Sequence, residues 1–399
     1  MRMNSRDLKQ EIKALEPELI QLRRDIHAHP ELGTNEVRTS QLVESYLREL
    51  GIPLKRSFHT GVVGLIQGGK PGKTILLRAD MDALPIQELT RLPFASQNEG
   101  VMHACGHDAH TAMLLVAAKV LMAHREELCG NVKLVFEPNE EDAGACHMVA
   151  EGVLEDPKVD ASFAMHVNNT IDAGTVGVAA GPMFAQTDNF YITLKGKGGH
   201  TSKPQKCRDP ILCAAAIIQT SQILQTREIN PMDATVLMFG SVHAGTTTNV
   251  LPETAELNGT LRYLYDGGPD SIQHPQQRLE RIVKSVADTY QVQADIRFEV
   301  SAHVLINDSG FVQFLNDKVI PPTIGKSHTV TLTTMEGEDF CEFINRNNIP
   351  GAMVYLGAGN AEIGEGCPLH NPYFRIDEGC LITGVELHVR TAMEFLAQA

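Results

Sequence analysis

Short apolar strands alternate with helical patterns through residues 1–185, and several of these strands end directly in ionisable residues. The segments TILLRADMD (74–82), NVKLVFEPNEE (131–141) and SFAMHV (162–167) show this pattern most clearly. Strands that alternate with helices predict an α/β domain with a mostly parallel sheet. Ligands of such sheets bind beyond the carboxyl ends of the strands. The sequence therefore predicts a functional site at that edge, where Asp80, Asp82, Glu140, Glu141 and His166 fall.

The order of elements changes in residues 186–299. The patterns there predict strand 189–196, helix 209–229, strands 235–242 and 254–265, helix 271–290 and strand 294–300. This β-α-β-β-α-β order is typical of a ferredoxin-like unit. The apolar strand AMVYLGAG (352–359) and a closing helix then resume the first pattern. We therefore predict a discontinuous α/β domain, residues 1–185 and 300–399, with an inserted ferredoxin-like domain, residues 186–299.

Composition excludes several classes of protein. With 34 Lys and Arg against 49 Asp and Glu, the formal charge of −15 disfavours nucleic acid as a partner. The longest apolar runs, 211–218 and 112–118, are both far shorter than the roughly 20 residues of a membrane span. The charged N-terminus lacks the apolar core of a secretory signal, which predicts a cytoplasmic protein. Eight cysteines without a CxxC pair argue against a disulfide framework and a zinc ribbon.

The densest cluster of candidate ligands is MHACGHDAH (102–110), which an apolar helix follows at once. Imidazole and thiolate ligands beside a carboxylate that can orient them indicate a metal site. The alternative is a group of His residues that caps the helix. Glu140 and Glu141 could divide the work of binding a metal and accepting a proton from water, although paired acids are also typical of solvated loops. Taken singly, His166 is compatible with a core residue and His370 with a surface residue.

The order of motifs along the chain resembles the aminoacylase/carboxypeptidase metallopeptidase family. It is most similar to the amidohydrolase branch, which includes hippurate hydrolases, N-acyl-L-amino acid amidohydrolases and auxin-conjugate hydrolases. The resemblance covers nearly the whole chain. Its motifs are RADMDALPI (78–86), MHACGHDAHTAMLL (102–115), FEPNEEDAGA (136–145), MHV (165–167), GKGGHTSKP (196–204), NVLPETAELNGTLR (249–262), GEDF (337–340) and PLHNPYF (368–374).

The resemblance implies a role for each candidate residue. It implies two divalent metal ions, for which Zn, Mn, Co and Ni all suit the ligand types, and Glu140 as general base toward a water that bridges them. His200 would stabilise the oxyanion of the transition state, while Asn249 and Arg262 would bind the α-carboxylate of the substrate. We expect Asp80, Asp82 and Asp108 to orient the ligands, with helix capping as the alternative for Asp108. The implied metal ligands are Cys105, His107, Glu141, His166 and His370.

These assignments predict a di-metal amidohydrolase that cleaves N-acyl-L-amino acids into a carboxylic acid and a free amino acid. A dipeptidase or carboxypeptidase that uses the same site is the alternative. Two other functions fit the motifs less well. Catalysis by a Cys105 thiolate would leave the two glutamates without a role. A binding protein without catalytic activity would not need all the metal ligands. We expect a small-molecule substrate, no nucleic acid or membrane partner, and a homodimer in which the inserted domain acts as lid and dimerisation domain. The shape of the acyl pocket is affected by departures from the family pattern at Asn139, Asn168, Asn169 and His303.

Overall fold

The computed structural model describes residues 5–266, 273–325, 328–361, 363 and 367–398. The chain divides into two compact units. The first unit consists of Met1–Met183, Ile306–Thr333 and Asp339–Ala399, and the second consists of Phe184–Leu305 and Thr334–Glu338.

The part of the chain up to Phe184 supplies most of the first unit. It contains five α-helices and seven strands among its described residues. In chain order they are α1 Ser5–Ala14, α2 Glu16–Ala28, α3 Val37–Glu49, β1 Leu54–Ser57, β2 Gly61–Gln67, β3 Lys70–Asp80, α4 His107–Ala123, β4 Cys129–Glu137, α5 Gly144–Ala150, β5 Ala161–Asp172, β6 Val176–Gly177 and β7 Gly181–Phe184.

The next part of the chain forms the second unit. Its described elements are β8 Gln186–Lys195, β9 Gly199–His200, α6 Pro210–Ser221, β10 Thr235–Ala244, β11 Val250–Leu251, β12 Thr254–Tyr263, α7 Pro275–Tyr290 and β13 Gln293–Ala302. The last part returns to the first unit. It contains β14 Leu305–Asn307, α8 Ser309–Phe314, α9 Ile320–Ile324, β15 Thr329–Val330, β16 Gly351–Gly359 and α10 Leu381–Leu396.

The first unit is organised around an eight-stranded sheet with the order β1-β2-β4-β3-β5-β16-β6-β15. Its four central strands, β4, β3, β5 and β16, are parallel to one another. These strands are almost entirely buried, as expected for a parallel sheet that helices cover. Because parallel strands end at the same edge, the carboxyl ends of β3, β4 and β5 bring their following residues together there.

Helix α4 forms the centre of the helical layer. Every residue from His107 to Ala118 is buried, and α2 and α10 pack against this helix. The apolar side chains of α4, of α10 and of the central strands form one continuous core. A helix that is apolar on all sides is stable only when it is covered on all sides. The N-terminus of α4 is therefore fixed in position at the carboxyl edge of the sheet.

The second unit contains a four-stranded antiparallel sheet with the order β10-β12-β8-β13. The chain order β8-α6-β10-β12-α7-β13 is the split βαβ arrangement. Helix α6 begins with Asp209 as its N-cap, whose carboxylate accepts from the amides of Ile211 and Leu212, and Pro210 occupies the first turn. The predicted fold class is confirmed: an α/β fold with a mostly parallel central sheet and a ferredoxin-like unit inserted into it.

A buried lysine fastens the loop that follows α5 to the sheet. Lys133 lies on β4, and its ammonium donates to the backbone carbonyls of Val153, Glu155 and Pro157 at 2.7, 2.7 and 2.8 Å. The side chain is 2% exposed. A buried ammonium is tolerated only when its donors are used, and these three bonds satisfy all three of them.

Candidate metal centre

The predicted ligands converge at the carboxyl edge of the parallel sheet. His166 lies on β5, His107 is the first residue of α4, and Glu140 and Glu141 lie in a 3-10 turn, Glu140–Asp142, just after β4. Gly106 makes the junction before α4 possible. It has φ +91°, and a Cβ at this position would lie 2.3 Å from Cγ2 of Val167. Any other residue would be strained here and would collide with the strand that carries His166.

Three overlapping groups of donor atoms form at this edge, and within each group all ligand atoms lie within 4.8 Å of one another. Sγ of Cys105 lies 3.3 Å from Nε2 of His166. Nε2 of His370 lies 3.2 Å from Oε1 of Glu141. The groups are Cys105, His107 and His166; Cys105, Glu141 and His370; and His107, Glu140 and Glu141. The structure thus brings together all five predicted ligands and the predicted base.

Hydrogen bonds orient two of the imidazoles toward this cluster. Nδ1 of His166 lies 2.7 Å from the carbonyl oxygen of Val167, and because a carbonyl can only accept, Nδ1 carries the proton. Nδ1 of His107 lies 3.1 Å from Oδ1 of Asp82, and it donates to this carboxylate. In both rings Nε2 is therefore the atom turned to the cluster. This is the arrangement by which outer carboxylates and carbonyls fix metal-binding histidines.

The electrostatics of the cluster favour a cation. Burial and the neighbouring Glu141 raise the pKa of the Cys105 thiol well above its usual value, so a thiolate here needs added positive charge. Burial lowers the pKa of His107, but Asp80 and Cys105 outweigh it and raise this pKa well above its usual range. Burial also opposes ionisation of Glu141, yet the hydrogen bond from His370 lowers its pKa. The cluster stabilises positive charge, which a metal ion supplies when it replaces the protons.

One buried atom tests whether the residues fit a metal ion. Nε2 of His107 is buried, and it has no hydrogen-bond partner within the described ranges of the chain. A buried, unpaired ring nitrogen is costly. It lies among thiol, imidazole and carboxylate donors, which are the ligand types that Zn²⁺ and similar ions take in proteins. The donor set therefore fits a metal centre.

Two of the three predicted orienting aspartates contact the centre. Asp82 contacts His107, and its second oxygen, Oδ2, accepts from the amide of Glu141 at 3.1 Å. Oδ1 of Asp80 lies 2.6 Å from Nδ1 of His110. Burial alone would raise the pKa of Asp80, but Arg78, His107 and His110 hold it well below its usual range.

Asp108 is placed differently, because it contacts no ligand of the cluster. Its Oδ2 lies 2.8 Å from Nε of Arg23 and 2.8 Å from Nδ1 of His27, so it joins α4 to α2. His103 in the same motif is also apart from the cluster. Burial lowers the pKa of His103 to about 3, so this ring stays neutral.

Three residues that support the centre received no individual role in the sequence analysis. His110 accepts the amide of Val167 on Nε2 at 2.9 Å, which holds the strand beside His166. Its position three residues after His107 on one helix face was the signal that could have found it. Arg78 is fully buried and pairs with Asp80 and Glu137 at 2.6 and 2.5 Å. Glu36 accepts the amide of Asn139 at 2.9 Å, which fixes the turn before the glutamate pair.

The remaining predicted residues lie in the second unit. His200 on β9 pairs with Val250 on β11, and the amide of Thr201 donates to the carbonyl of Asn249, so His200 and Asn249 are neighbours. The ring of His200 is held by Ser202, whose hydroxyl lies 3.0 Å from Nδ1. Arg262 lies on β12, and its Nη1 donates to the carbonyl of Met335 at 2.9 Å.

Comparisons with known proteins identify the family of this chain. A model of peptidase family M20/M25/M40 matches residues 76–394. The chain belongs to peptidase family M20/M25/M40. Thermostable carboxypeptidase 2 of Saccharolobus solfataricus is 36% identical to this chain over 394 residues. The match covers 97% of this chain and 98% of the relative. N-acetylcysteine deacetylase of Bacillus subtilis is 36% identical over 387 residues, 96% of this chain and 97% of the relative.

A solved structure extends the likeness of this M20/M25/M40 chain to three dimensions. A dinuclear metal binding peptidase from the M20 family of Bacillus subtilis superposes with a TM-score of 0.82 at 35% identity, and the match covers 97% of this chain and 100% of that one. The prediction of a metal-dependent hydrolase of this family is confirmed. Of the helices in the described ranges, none combines the length and the apolar character needed to cross a membrane.

Proposed function

We propose that this chain hydrolyses N-acyl-L-amino acids at a centre of two divalent metal ions, releasing a carboxylic acid and a free amino acid. The observation that carries the proposal is the convergence of Cys105, His107, Glu141, His166 and His370 around one cluster with Glu140 beside it. The likeness to a deacetylase and to a dinuclear metal binding peptidase supports it.

Each residue of the cluster has a defined task in this proposal. The five ligands would hold the ions, which when bound polarise an amide carbonyl and lower the pKa of water. Glu140 contributes the proton transfer. Its Oε2 lies 3.8 Å from Nε2 of His107, so its carboxylate borders the cluster without belonging to the most buried donor group. Glu140 takes a proton from the attacking water and gives it to the nitrogen of the leaving amine. Water and amide are thus converted into acid and amine with no further reactant.

We extend the proposal to the second unit. His200 donates to the carbonyl oxygen as negative charge develops there, which would contribute a few kcal/mol of transition-state stabilisation. Asn249 and Arg262 bind the α-carboxylate of the substrate through an amide and a guanidinium. Residues 186–299 act as lid and dimerisation domain for the catalytic residues 1–185 and 300–399. These roles rest on the resemblance of the motifs.

The second candidate function is a carboxypeptidase or dipeptidase that uses the same ligands and base. The carboxypeptidase relative favours it, because its identity to this chain is also 36%. Both reactions are hydrolysis of an amide bond next to a free carboxylate. They differ in the group on the other side of that bond, which is an acyl group in one and an amino-acid residue in the other.

The test is a substrate panel with metal replacement. The enzyme is stripped with a chelator, reloaded separately with Mn, Zn, Co or Ni, and assayed for amino-acid release from N-acetyl, N-benzoyl and indole-acetyl amino acids and from dipeptides. We expect metal-restored release from N-acyl amino acids. Release from dipeptides alone would favour the peptidase, and no release from any substrate by metal-loaded enzyme would overturn both. Glu140→Gln is the control, because it keeps the shape of the side chain and removes the base.

A further inference from the structure

A second concave feature lies in the first unit, outside the cluster of ligands. It is a cavity of about 570 Å³. Two segments that are far apart in the sequence form its wall, one between β3 and α4 and one between β16 and α10. The lining residues are Glu88, Leu89, Thr90, Arg91, Ala95, Cys367, Tyr373 and Arg375.

Two arginines line this cavity, the exposed Arg91 and the half-buried Arg375. No hydrogen bond or ion pair to the guanidinium of Arg91 or Arg375 occurs in the described part of the chain, although both residues line the same space. The chain has a formal charge of −15, so acidic partners are abundant. Two unpaired guanidiniums around one cavity are the arrangement that binds a carboxylate or phosphate.

Glu88 is the acidic residue among those that line the cavity, and its carboxylate already accepts hydrogen bonds from its neighbours. The carboxylate of Glu88 accepts from the amide of Ser96 at 2.6 Å and from the hydroxyl of Thr90, and it lies 3.4 Å from Nε2 of His27. These bonds turn Glu88 into the wall, and its side chain is 2% exposed. Its charge therefore offsets part of the positive potential without closing the cavity to an anion.

The cavity adjoins the metal centre along the chain. Cys367 and Tyr373 stand three residues before and three residues after His370, and three residues of extended chain span at most about 11 Å. The segment is fixed at both ends. The side-chain amide of Asn169 donates to the carbonyls of Cys367 and Arg375 at 2.5 and 3.0 Å, and the amide of Leu89 donates to the carbonyl of Pro372 at 2.9 Å. The backbone of the two lining residues Cys367 and Tyr373 therefore lies within about 11 Å of that of His370.

We propose that this cavity is an anion subsite that binds a second carboxylate of the substrate through Arg91 and Arg375. The inference rests on the proposed function and names the substrate class: N-acyl amino acids that carry a carboxylate besides the α-carboxylate. That carboxylate belongs either to a dicarboxylic acyl group or to an acidic amino-acid side chain. The chemistry is the same in both cases, and the kinetic experiment separates the two sources.

The kinetic experiment compares charged substrates with neutral isosteres on the metal-loaded enzyme. N-succinyl-L-alanine is paired with N-succinamoyl-L-alanine, and N-acetyl-L-glutamate is paired with N-acetyl-L-glutamine. We expect kcat/KM to favour the charged member of one pair by about tenfold or more, the scale of a charge-assisted hydrogen bond. Arg91→Gln and Arg375→Gln should reduce this ratio toward one. Arg125→Gln, at an exposed arginine that pairs with Glu126, should leave the ratio unchanged.

A second experiment detects the anion without turnover. Cys367 lines the cavity and Cys146 is exposed elsewhere in the first unit, so their alkylation rates can be compared by peptide mass spectrometry in one sample. Succinate, set against chloride at equal ionic strength, should slow alkylation of Cys367 several-fold and leave Cys146 unchanged. Arg375→Gln should abolish the protection. The metal centre is the same in all samples.

The outcomes separate the two proposals. Hydrolysis of neutral and charged substrates with equal kcat/KM, or protection of Cys367 that persists in the double variant of Arg91 and Arg375, would overturn the anion subsite and leave the proposed function intact. No hydrolysis of any N-acyl amino acid would overturn the proposed function. In that case protection of Cys367 by succinate would still show that the cavity binds an anion.

Discussion

Asp82→Asn should weaken metal binding without changing the fold. The two oxygens of Asp82 accept two donors at once, Nδ1 of His107 at 3.1 Å and the amide of Glu141 at 3.1 Å. Asparagine has the same shape but only one oxygen. Its NH₂ group must therefore face one of these two N–H donors, so one bond is lost and a ligand is released from its orientation.

The magnitude follows from the lost bond. A hydrogen bond to a charged acceptor contributes about 1.5–3 kcal/mol. At 1.4 kcal/mol for each factor of ten, the metal Kd should rise about 10–100-fold, which is the usual scale for partners of metal-bound histidines. The assay is competition with a fluorescent chelator for one metal ion, with circular dichroism as the check on folding.

The matched control is Asp295→Asn. Asp295 is 57% exposed in its side chain and pairs with Lys195 at 3.3 Å in the second unit. The same chemical change there should leave metal affinity unaltered. An Asp82→Asn variant that binds metal as tightly as the wild type would refute the argument that Asp82 orients the ligands. Equal weakening by both variants would refute it too, because the loss would then follow from net charge.

Three further outcomes test other parts of the structure. Glu140→Ala should abolish turnover with metal content near that of the wild type, whereas His107→Ala should also lose metal by elemental analysis; equal metal loss would contradict the division of roles. Lys133→Met leaves three backbone carbonyls, among them that of the buried Val153, without this donor and should lower the free energy of unfolding in urea by about 2–4 kcal/mol. Lys119→Met, at a partly exposed ion pair, should change it by less than about 1 kcal/mol. Burial raises the pKa of Glu36 above 4.5 despite the hydrogen bond from Thr60, so its contribution to stability falls as pH rises from about 4.5. The thermal midpoint of Glu36→Gln minus that of the wild type should therefore increase between about pH 4 and pH 8, and a difference that decreases would contradict this sign.

The sequence was sufficient to predict features that depend on local pattern. The alternation of strands and helices predicted the parallel sheet, and the rule that parallel strands end at one edge brought His166 and the glutamate pair to His107. These predictions succeed because the end of a strand, the start of a helix and a pair of acidic residues can each be recognised from residues that are neighbours in the sequence. The parallel arrangement of the strands then places these features at the same edge of the sheet.

Features that depend on contacts between distant segments could not be predicted in this way. Asp108 was expected beside the ligands, but its partners Arg23 and His27 come from α2, about eighty positions earlier. The cavity of Arg91 and Arg375 joins segments nearly three hundred residues apart. No periodicity links such positions, because their proximity is set by how helices and loops pack on the sheet and not by the residues near them in the chain.

The buried charges beneath the centre are better explained by orientation than by stability. Arg78 pairs with Asp80, Glu137 and, at 3.2 Å, with Asp339, and buried ion pairs contribute little net stability because desolvation offsets their attraction. The same Asp80 holds His110, which in turn accepts the amide next to His166. A continuous set of hydrogen bonds thus runs from the guanidinium to the strand that carries a ligand. Such a network fixes the ligands before a metal ion arrives, so less ordering accompanies binding and the affinity rises. Shortening Asp80 to Ala should therefore weaken metal binding, because it removes the carboxylate that holds His110 and pairs with Arg78.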